Sequence, residues 1–213
     1  MNNLLDLCST LKHRLVFPLP GMEAHARMAY AQRKLNMNRF KTPPDAVWSS
    51  VLILLYEADG VISFPLIVRP EYDGVHSGQV SLPGGKFEAE DEHLINTALR
   101  ETEEEIGIPK EDVEYIGKLT ELYIPPSNFL VHPQLAMIRY RPSFFPNEKE
   151  VLSILEIPVD RLLAHETLAE KEVKLNNGMI VNTPCFVLEG KTVWGATAMM
   201  LSELKAILVE IGF

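Results

Sequence analysis

The chain has 213 residues, 46% of them hydrophobic and 23% charged, and carries a formal net charge of −9. These are the proportions of a soluble globular protein with an ample core, built as one large domain or one domain with an appendage. A pI near 5.2 argues against nucleic-acid binding through a basic face, and two cysteines, Cys8 and Cys185, exclude a disulfide framework and are not spaced for metal.

Residues 1–45 read as a mainly helical extension carrying the basic stretch Gln32-Arg33-Lys34, continued by Arg39 and Lys41. Asp6 interrupts Leu4, Leu5 and Leu7, and no small-residue cleavage site follows, so no signal peptide is expected. The chain ends Ile-Gly-Phe, without a peroxisomal tripeptide. A cytoplasmic protein is the expectation. Thr42-Pro43-Pro44-Asp45 is a break. The main domain is expected over 46–213. Residues 46–56 read as a buried strand, and their apolar run from Val51 to Tyr56 is far too short to cross a bilayer, so no membrane partner is expected. Asp59-Gly60 signals a hairpin, and 61–68 read as the returning strand. A loop over 71–78 contains Gly74 and His76. Residues 79–82 form a short strand that stops at Pro83-Gly84-Gly85.

Residues 92–106 predict a helix, with Asp91 suited to its N-cap, Gly107 just past its end and Pro109 confirming the stop. Residues 113–124 and 134–140 read as strands around the loop Pro125-Pro126-Ser127-Asn128. Further strands are expected over 151–158 and 173–189, and an amphipathic helix over 197–211. Strands and helices mix without strict alternation. The expected class is α/β (α+β), a mixed sheet between helices.

The acid is concentrated. From Lys86 to Glu114 there are eleven Asp and Glu against three Lys and Arg, which accounts for nearly all of the net charge of −9. On a helical wheel Leu94, Ile95, Ala98, Leu99, Thr102 and Ile106 share the core side. Glu101, Glu104 and Glu105 share a face beside that stripe, while Glu103 points away into solvent. Like charges at this spacing destabilise a helix by about 0.2–0.5 kcal/mol per pair, and the negative end of the helix dipole adds to that. A divalent cation reverses the sign. Carboxylates converging from one face suit Mg²⁺ or Mn²⁺ rather than zinc. The competing reading is a solvated acidic face.

Gly85, Asp91, Arg100-Glu101, Glu104-Glu105 and Gly107 together resemble the signature of the Nudix hydrolases. Asp91 stands where the general family has Glu, the stretch to Arg100 is one residue longer than usual, and Thr102 replaces an aliphatic residue. The longer spacing resembles the coenzyme A pyrophosphatase branch. So do Arg69, Gly78, Val80 and Pro83-Gly84-Gly85, and further on Ser127-Asn128-Phe129 and Trp194-Gly195-Ala196-Thr197-Ala198. Pro70, Gly74 and Leu82 depart from that branch, Gly74 replacing a second arginine. The resemblance covers roughly residues 49–208.

The resemblance implies a Nudix-type α/β/α sandwich with a central mixed β-sheet. It implies hydrolysis of a diphosphate in a nucleotide such as coenzyme A, with ADP-ribose or another nucleoside diphosphate derivative as the alternative. A non-catalytic nucleotide-binding module is the alternative of a different class. Glu101, Glu104, Glu105 and the Gly85 carbonyl are the implied ligands of Mg²⁺ or Mn²⁺, and Glu101 or Glu104 the base. Arg100 aligns a metal-binding glutamate. Arg69, His76, Gly84, Ser127 and Asn128 are the implied substrate contacts, although Ser127 and Asn128 also suit a turn and Arg69 a strand end. His132 is expected in a second loop flanking the cleft, and Trp194 in the core. Family members are often dimers, so a homodimer is one implied assembly.

Overall fold

The structure is a computed structural model and describes residues 3–37, 42–70, 78–175 and 177–213. Three helices lead the chain: α1 (Leu4–Arg14), α2 (Gly21–Ala26) and α3 (Ala31–Asn36). The Asn3 side chain accepts from the Asp6 N–H and caps α1. Leu4, Leu7, Cys8 and Leu11 recur at i, i+3, i+4 and i+7, and all four lie in the main hydrophobic core.

β1 (Val47–Ala58) and β2 (Val61–Val68) pair as an antiparallel hairpin. Asp59 and Gly60 turn it with φ of 53° and 78°, the left-handed backbone that two-residue hairpin turns require. The elements that follow are β3 (Val80–Ser81), β4 (Gly84–Lys86), α4 (Leu94–Ile106), β5 (Glu114–Lys118), β6 (Leu122–Ile124), β7 (Phe129–Met137), β8 (Ser153–Pro158), α5 (Val159–Leu163), β9 (Leu168–Lys174), β10 (Ile180–Leu188), β11 (Lys191–Val193) and α6 (Gly195–Glu210).

Several boundaries differ from expectation. The single strand expected over 113–124 is broken into β5 and β6. The strand expected to start at 134 starts at Phe129. Pro133 sits inside it without disruption, because its carbonyl faces the break between β5 and β6, where Leu119 N–H donates to it. A proline's missing N–H matters least where the ladder is already interrupted. The strand expected over 173–189 is two strands, β9 and β10, folded back through a turn in which Leu175 N–H bonds Met179 O at 2.8 Å.

Among the described residues β3-β2-β1-β7-β5 run side by side, with β4 also on β1, β6 on β7 and β8 on β2. β1 and β7 are parallel and their other pairings antiparallel, so the central sheet is mixed. β9, β10 and β11 form a second, smaller sheet. Side chains alternate across β1. Leu52, Leu54 and Tyr56 pack with Ala98 and Ile106 of α4. Ile53 and Leu55 pack on the other face with α1 and α6. This is the expected sandwich of helices about a mixed sheet. No helix among the described residues is long and apolar enough to cross a membrane.

One buried carboxylate ties the second helical layer together. Glu203 of α6 is 0% exposed. It accepts from Gly21 N–H at 2.9 Å, Thr120 N–H at 3.0 Å and the Thr120 hydroxyl at 2.6 Å, and it meets His25 Nε2 at 3.1 Å. Burial works to raise its pKa, but these partners outweigh it and hold the group below the ordinary value.

Candidate active site

Helix α4 and strand β4 build the site. β4 lies antiparallel on β1, with Val51 opposite Gly84, Ser50 opposite Gly85 and Ser49 opposite Lys86. That register aims the missing side chain of Gly85 at α4. A Cβ there would fall within 3.0 Å of Cδ and both carboxylate oxygens of Glu101. Glycine is required at this point because the Glu101 carboxylate lies directly over the peptide. At Gly84 φ is +145°, and a Cβ would collide with the Ser50 carbonyl and Val51 Cα. The Gly-Gly pair is thus pressed against the β1 backbone at Gly84 and against the Glu101 carboxylate at Gly85.

Arg100 collects the acids. Its Nε and Nη2 donate to the two Asp91 oxygens at 2.8 and 3.1 Å, a bidentate pair. Nη1 reaches Glu101 at 3.0 Å and Glu104 at 3.3 Å, and Nη2 also reaches the Lys86 carbonyl at 3.1 Å. Asp91 is therefore not the N-cap of α4. It closes the 3₁₀ turn Ala89–Asp91 by accepting from Glu88 N–H, and also takes the Thr97 hydroxyl at 2.9 Å. The arginine draws its carboxylate away from the helix end, and α4 starts at Leu94 with His93 before it. The same guanidinium holds the Asp91 carboxyl down to about 2.

Glu105 is 1% exposed. One of its oxygens accepts from Arg69 Nη2 at 3.1 Å and the other from Gly84 N–H at 2.8 Å. Burial pushes its carboxyl up to about 7, against the pull of Arg69 and the Gly84 N–H. Burial also raises Glu101, opposed by Arg100. Glu104 has a side chain 56% exposed. Glu103 is partly covered instead of standing free in solvent. A helix wheel gives direction, but covering depends on what packs nearby. At the end of the helix the chain at Phe145 and Asn147 bonds the Ile106 and Glu105 carbonyls.

The three carboxylates expected to share a point are held by different partners. Among the described residues no three His, Cys, Asp or Glu side chains are grouped so as to hold a metal ion. Two arginines explain the spread, since Arg69 and Gly84 draw Glu105 inward while Arg100 draws Glu101 and Glu104 outward. The donor chemistry itself suits a hard divalent ion. Glu101 and Glu104 are carboxylates one helical turn apart, and the Gly85 peptide lies bare beside Glu101.

The other expected contacts are scattered. Arg69 is turned toward Glu105, Ser81 and the Gly84 carbonyl. His76, Gly74 and Arg39 lie outside the described residues. Ser127 bonds the Ile124 carbonyl at 3.4 Å. Asn128 is left-handed with φ 54°, accepts from the Tyr123 hydroxyl and donates to Asp45 O. Both residues shape the turn before β7. Trp194 is half-buried. Arg33 donates to the Tyr123 carbonyl at 3.0 Å. His132 lies in β7 and not in a loop, its ring edge-on to Trp48 at 5.9 Å, and burial lowers its pKa. Sequence reasoning passed over Trp48, which is 53% exposed on the sheet face that carries Gly85. The alternation of β1 was the signal that could have found it.

A family model described as the NUDIX domain matches residues 47–175. The chain belongs to the Nudix hydrolase family. A Nudix relative from Yersinia pestis (strain Pestoides F), named "Uncharacterized Nudix hydrolase NudL", is 32% identical over 156 residues, covering 67% of this chain and 76% of the relative. The Yersinia pseudotuberculosis serotype O:1b protein of the same name matches equally. Among solved structures, the Nudix hydrolase RenU from M. smegmatis shares the fold with a TM-score of 0.55 at 15% identity, over 79% of this chain and 89% of that one. A MutT/nudix family protein from Enterococcus faecalis has a TM-score of 0.51 at 13% identity, over 88% and 73%. Nudix hydrolases are pyrophosphohydrolases that act on phosphorus-containing anhydrides, and they generally use divalent metal ions.

Proposed function

We propose that this Nudix hydrolase cleaves the diphosphate of coenzyme A or its derivatives, releasing 3′,5′-ADP and 4′-phosphopantetheine. The observation that carries the hydrolytic reading is Glu101 laid over the bare Gly85 peptide and clamped there by Arg100, itself gripped at two points by Asp91. Such a clamp positions a carboxylate without relying on a long, mobile side chain.

Glu101, Glu104 and Glu105, with the Gly85 carbonyl, would hold Mg²⁺ or Mn²⁺. Glu105 must exchange one of its present bonds, with Arg69 or with Gly84 N–H, to take part. When bound, the metal offsets charge on the non-bridging phosphate oxygens and favours a nucleophilic water. Glu101 or Glu104 orients that water and takes its proton. Arg100 holds both carboxylates in place and keeps like charges apart. Arg69 stands beside Gly84 and fits a phosphate bidentately once released from Glu105. The coenzyme A reading rests on the long spacing from Gly85 to Arg100 and on the Pro83-Gly84-Gly85, Ser127-Asn128-Phe129 and Trp194-Gly195 segments. Two buried free thiols, Cys8 and Cys185, suit a reducing cytoplasm.

The test is product analysis after incubation of coenzyme A with Mn²⁺ or Mg²⁺, beside ADP-ribose. Appearance of 4′-phosphopantetheine and 3′,5′-ADP is expected. Faster turnover of ADP-ribose would overturn the substrate, an outcome that Gly74 in place of a second arginine makes worth measuring. Turnover of neither, with binding of both, would leave a nucleotide-binding module.

A further inference from the structure

A cavity of about 420 Å³ opens where the second sheet meets the edge of the central one, between β2 and β3 on one side and β9 and β11 on the other. That size admits a small molecule. Its wall carries Lys171, Lys174 and Lys191 against one acid, Glu172, in a chain whose net charge is −9. Lys171 donates to the Thr192 hydroxyl at 3.1 Å, and among the described residues none of the three lysines is ion-paired. β9 and β11 fix their stems around one hollow, so the like charges add there instead of dispersing into solvent. Trp194, half-buried, also lines the hollow and immediately precedes α6. No side chain caps that helix and its first turn holds no acid, so its first N–H groups add positive potential beside the lysines. Gly78, Val80 and Trp194, all singled out in the sequence, thus meet at a place that the hydrolytic chemistry leaves unused.

We propose that this hollow is a second anion site, which takes a phosphate monoester on a small molecule. A phosphate near double charge offers several strong acceptors to the lysines and the Thr192 hydroxyl, while the Trp194 ring packs on the rest of the ligand. The attraction comes from fixed positive charge and needs no divalent ion, unlike the binding expected at Glu101 and Glu104. The inference therefore stands whether or not the hydrolytic reading holds. β3 runs from the hollow toward Pro83-Gly84-Gly85, so the phosphate belongs either to the far end of the substrate or to a separate molecule. Both present the same group to the lysines.

The experiment uses the full chain with Trp48→Phe, which leaves Trp194 as the only indole. Ribose 5-phosphate is titrated in EDTA, with ribose as the control. A saturable change in indole emission with the phosphate and none with ribose is expected. Lys171→Gln combined with Lys191→Gln should weaken that binding roughly ten-fold or more. The same pair changed to arginine should keep most of it, and Lys110→Gln, on the 3₁₀ turn Lys110–Asp112, should change nothing. No response to ribose 5-phosphate, or equal affinity in the double glutamine variant, would overturn the site. Turnover by that variant separates the two sources. A raised KM for coenzyme A and not for dephospho-coenzyme A, which lacks the 3′-phosphate, assigns the hollow to a second phosphate on the substrate. An unchanged KM for both assigns it to a separate phosphorylated molecule. Binding without any turnover supports the site and removes the hydrolytic reading, while turnover without binding removes the site alone.

Discussion

The Glu101 carboxylate occupies the space that a side chain on Gly85 would fill. In Gly85→Ala the atoms that must move are the tip of a flexible side chain, so the fold survives and the carboxylate is displaced. A misplacement of about 1 Å costs roughly 100-fold in rate. At the neighbouring Gly84 the clash is with backbone, at φ +145°. Gly84→Ala should lose about 2–4 kcal/mol of stability. Urea melts and turnover measured on both variants should separate, Gly85→Ala failing in rate and Gly84→Ala in stability. Equal stability losses would contradict the packing.

The three glutamates of Glu103-Glu104-Glu105 should respond differently. Glu104→Gln, at a side chain 56% exposed, should change stability by no more than about 0.5 kcal/mol yet lower turnover about 100-fold or more if that carboxylate acts on water. Glu103→Gln should leave turnover near wild type. A large loss there would put Glu103 in the site.

Arg69 and Glu105 call for a double-mutant cycle. Arg69→Ala removes the 3.1 Å partner of a buried carboxyl already raised to about 7; the group then takes up a proton at neutral pH, and the loss should be about 1–2 kcal/mol. Once Glu105→Gln has removed the charge, the same change should cost less. A coupling of at least about 1 kcal/mol is expected. Additive effects would show that Arg69 faces solvent or substrate and not Glu105.

Asp91 sets a pH dependence. Its carboxyl lies at about 2 in the fold against an ordinary 3.8, chiefly because of Arg100. A depressed folded value stabilises in full above 3.8, and that stabilisation drains away as pH falls toward 2. Chemical denaturation of wild type and Asp91→Asn should therefore converge as pH drops through that window. A constant gap from pH 5 to pH 2.5 would refute the pairing.

Glu203 anchors α2 and the Thr120 segment to α6. Glu203→Ala leaves the Gly21 and Thr120 N–H groups without their buried acceptor and should cost about 2–4 kcal/mol. Hydrogen exchange should rise first over residues 21–26. Unchanged protection there would mean that apolar packing alone holds the helix.

What could be read from the chain was local. The helix at 92–106, its apolar stripe, the hairpin at Asp59-Gly60 and the link between Arg100 and the acids follow from spacing within a few residues, because 3.6 and 2.0 residue periods fix which side chains share a face. Long-range partners were not readable in this way. Nothing near Asp91 told its capping role from its grip on Arg100, and the backbone bonds that close the end of α4 come from the distant 145–147 segment. The hidden breaks at β5–β6 and β9–β10 depend on which strands lie opposite.

The sequence by itself carried the motif whose resemblance implied the family and its sandwich, and it marked the acidic helix through short-range pattern and turn chemistry. Only the tertiary structure decided that Arg69 grips Glu105, that Glu101 rests on Gly85 and that Trp48 is bare beside them. Those relations arise where β1, β4 and α4 are brought together, and the register of strands distant in sequence is set by how the whole core packs.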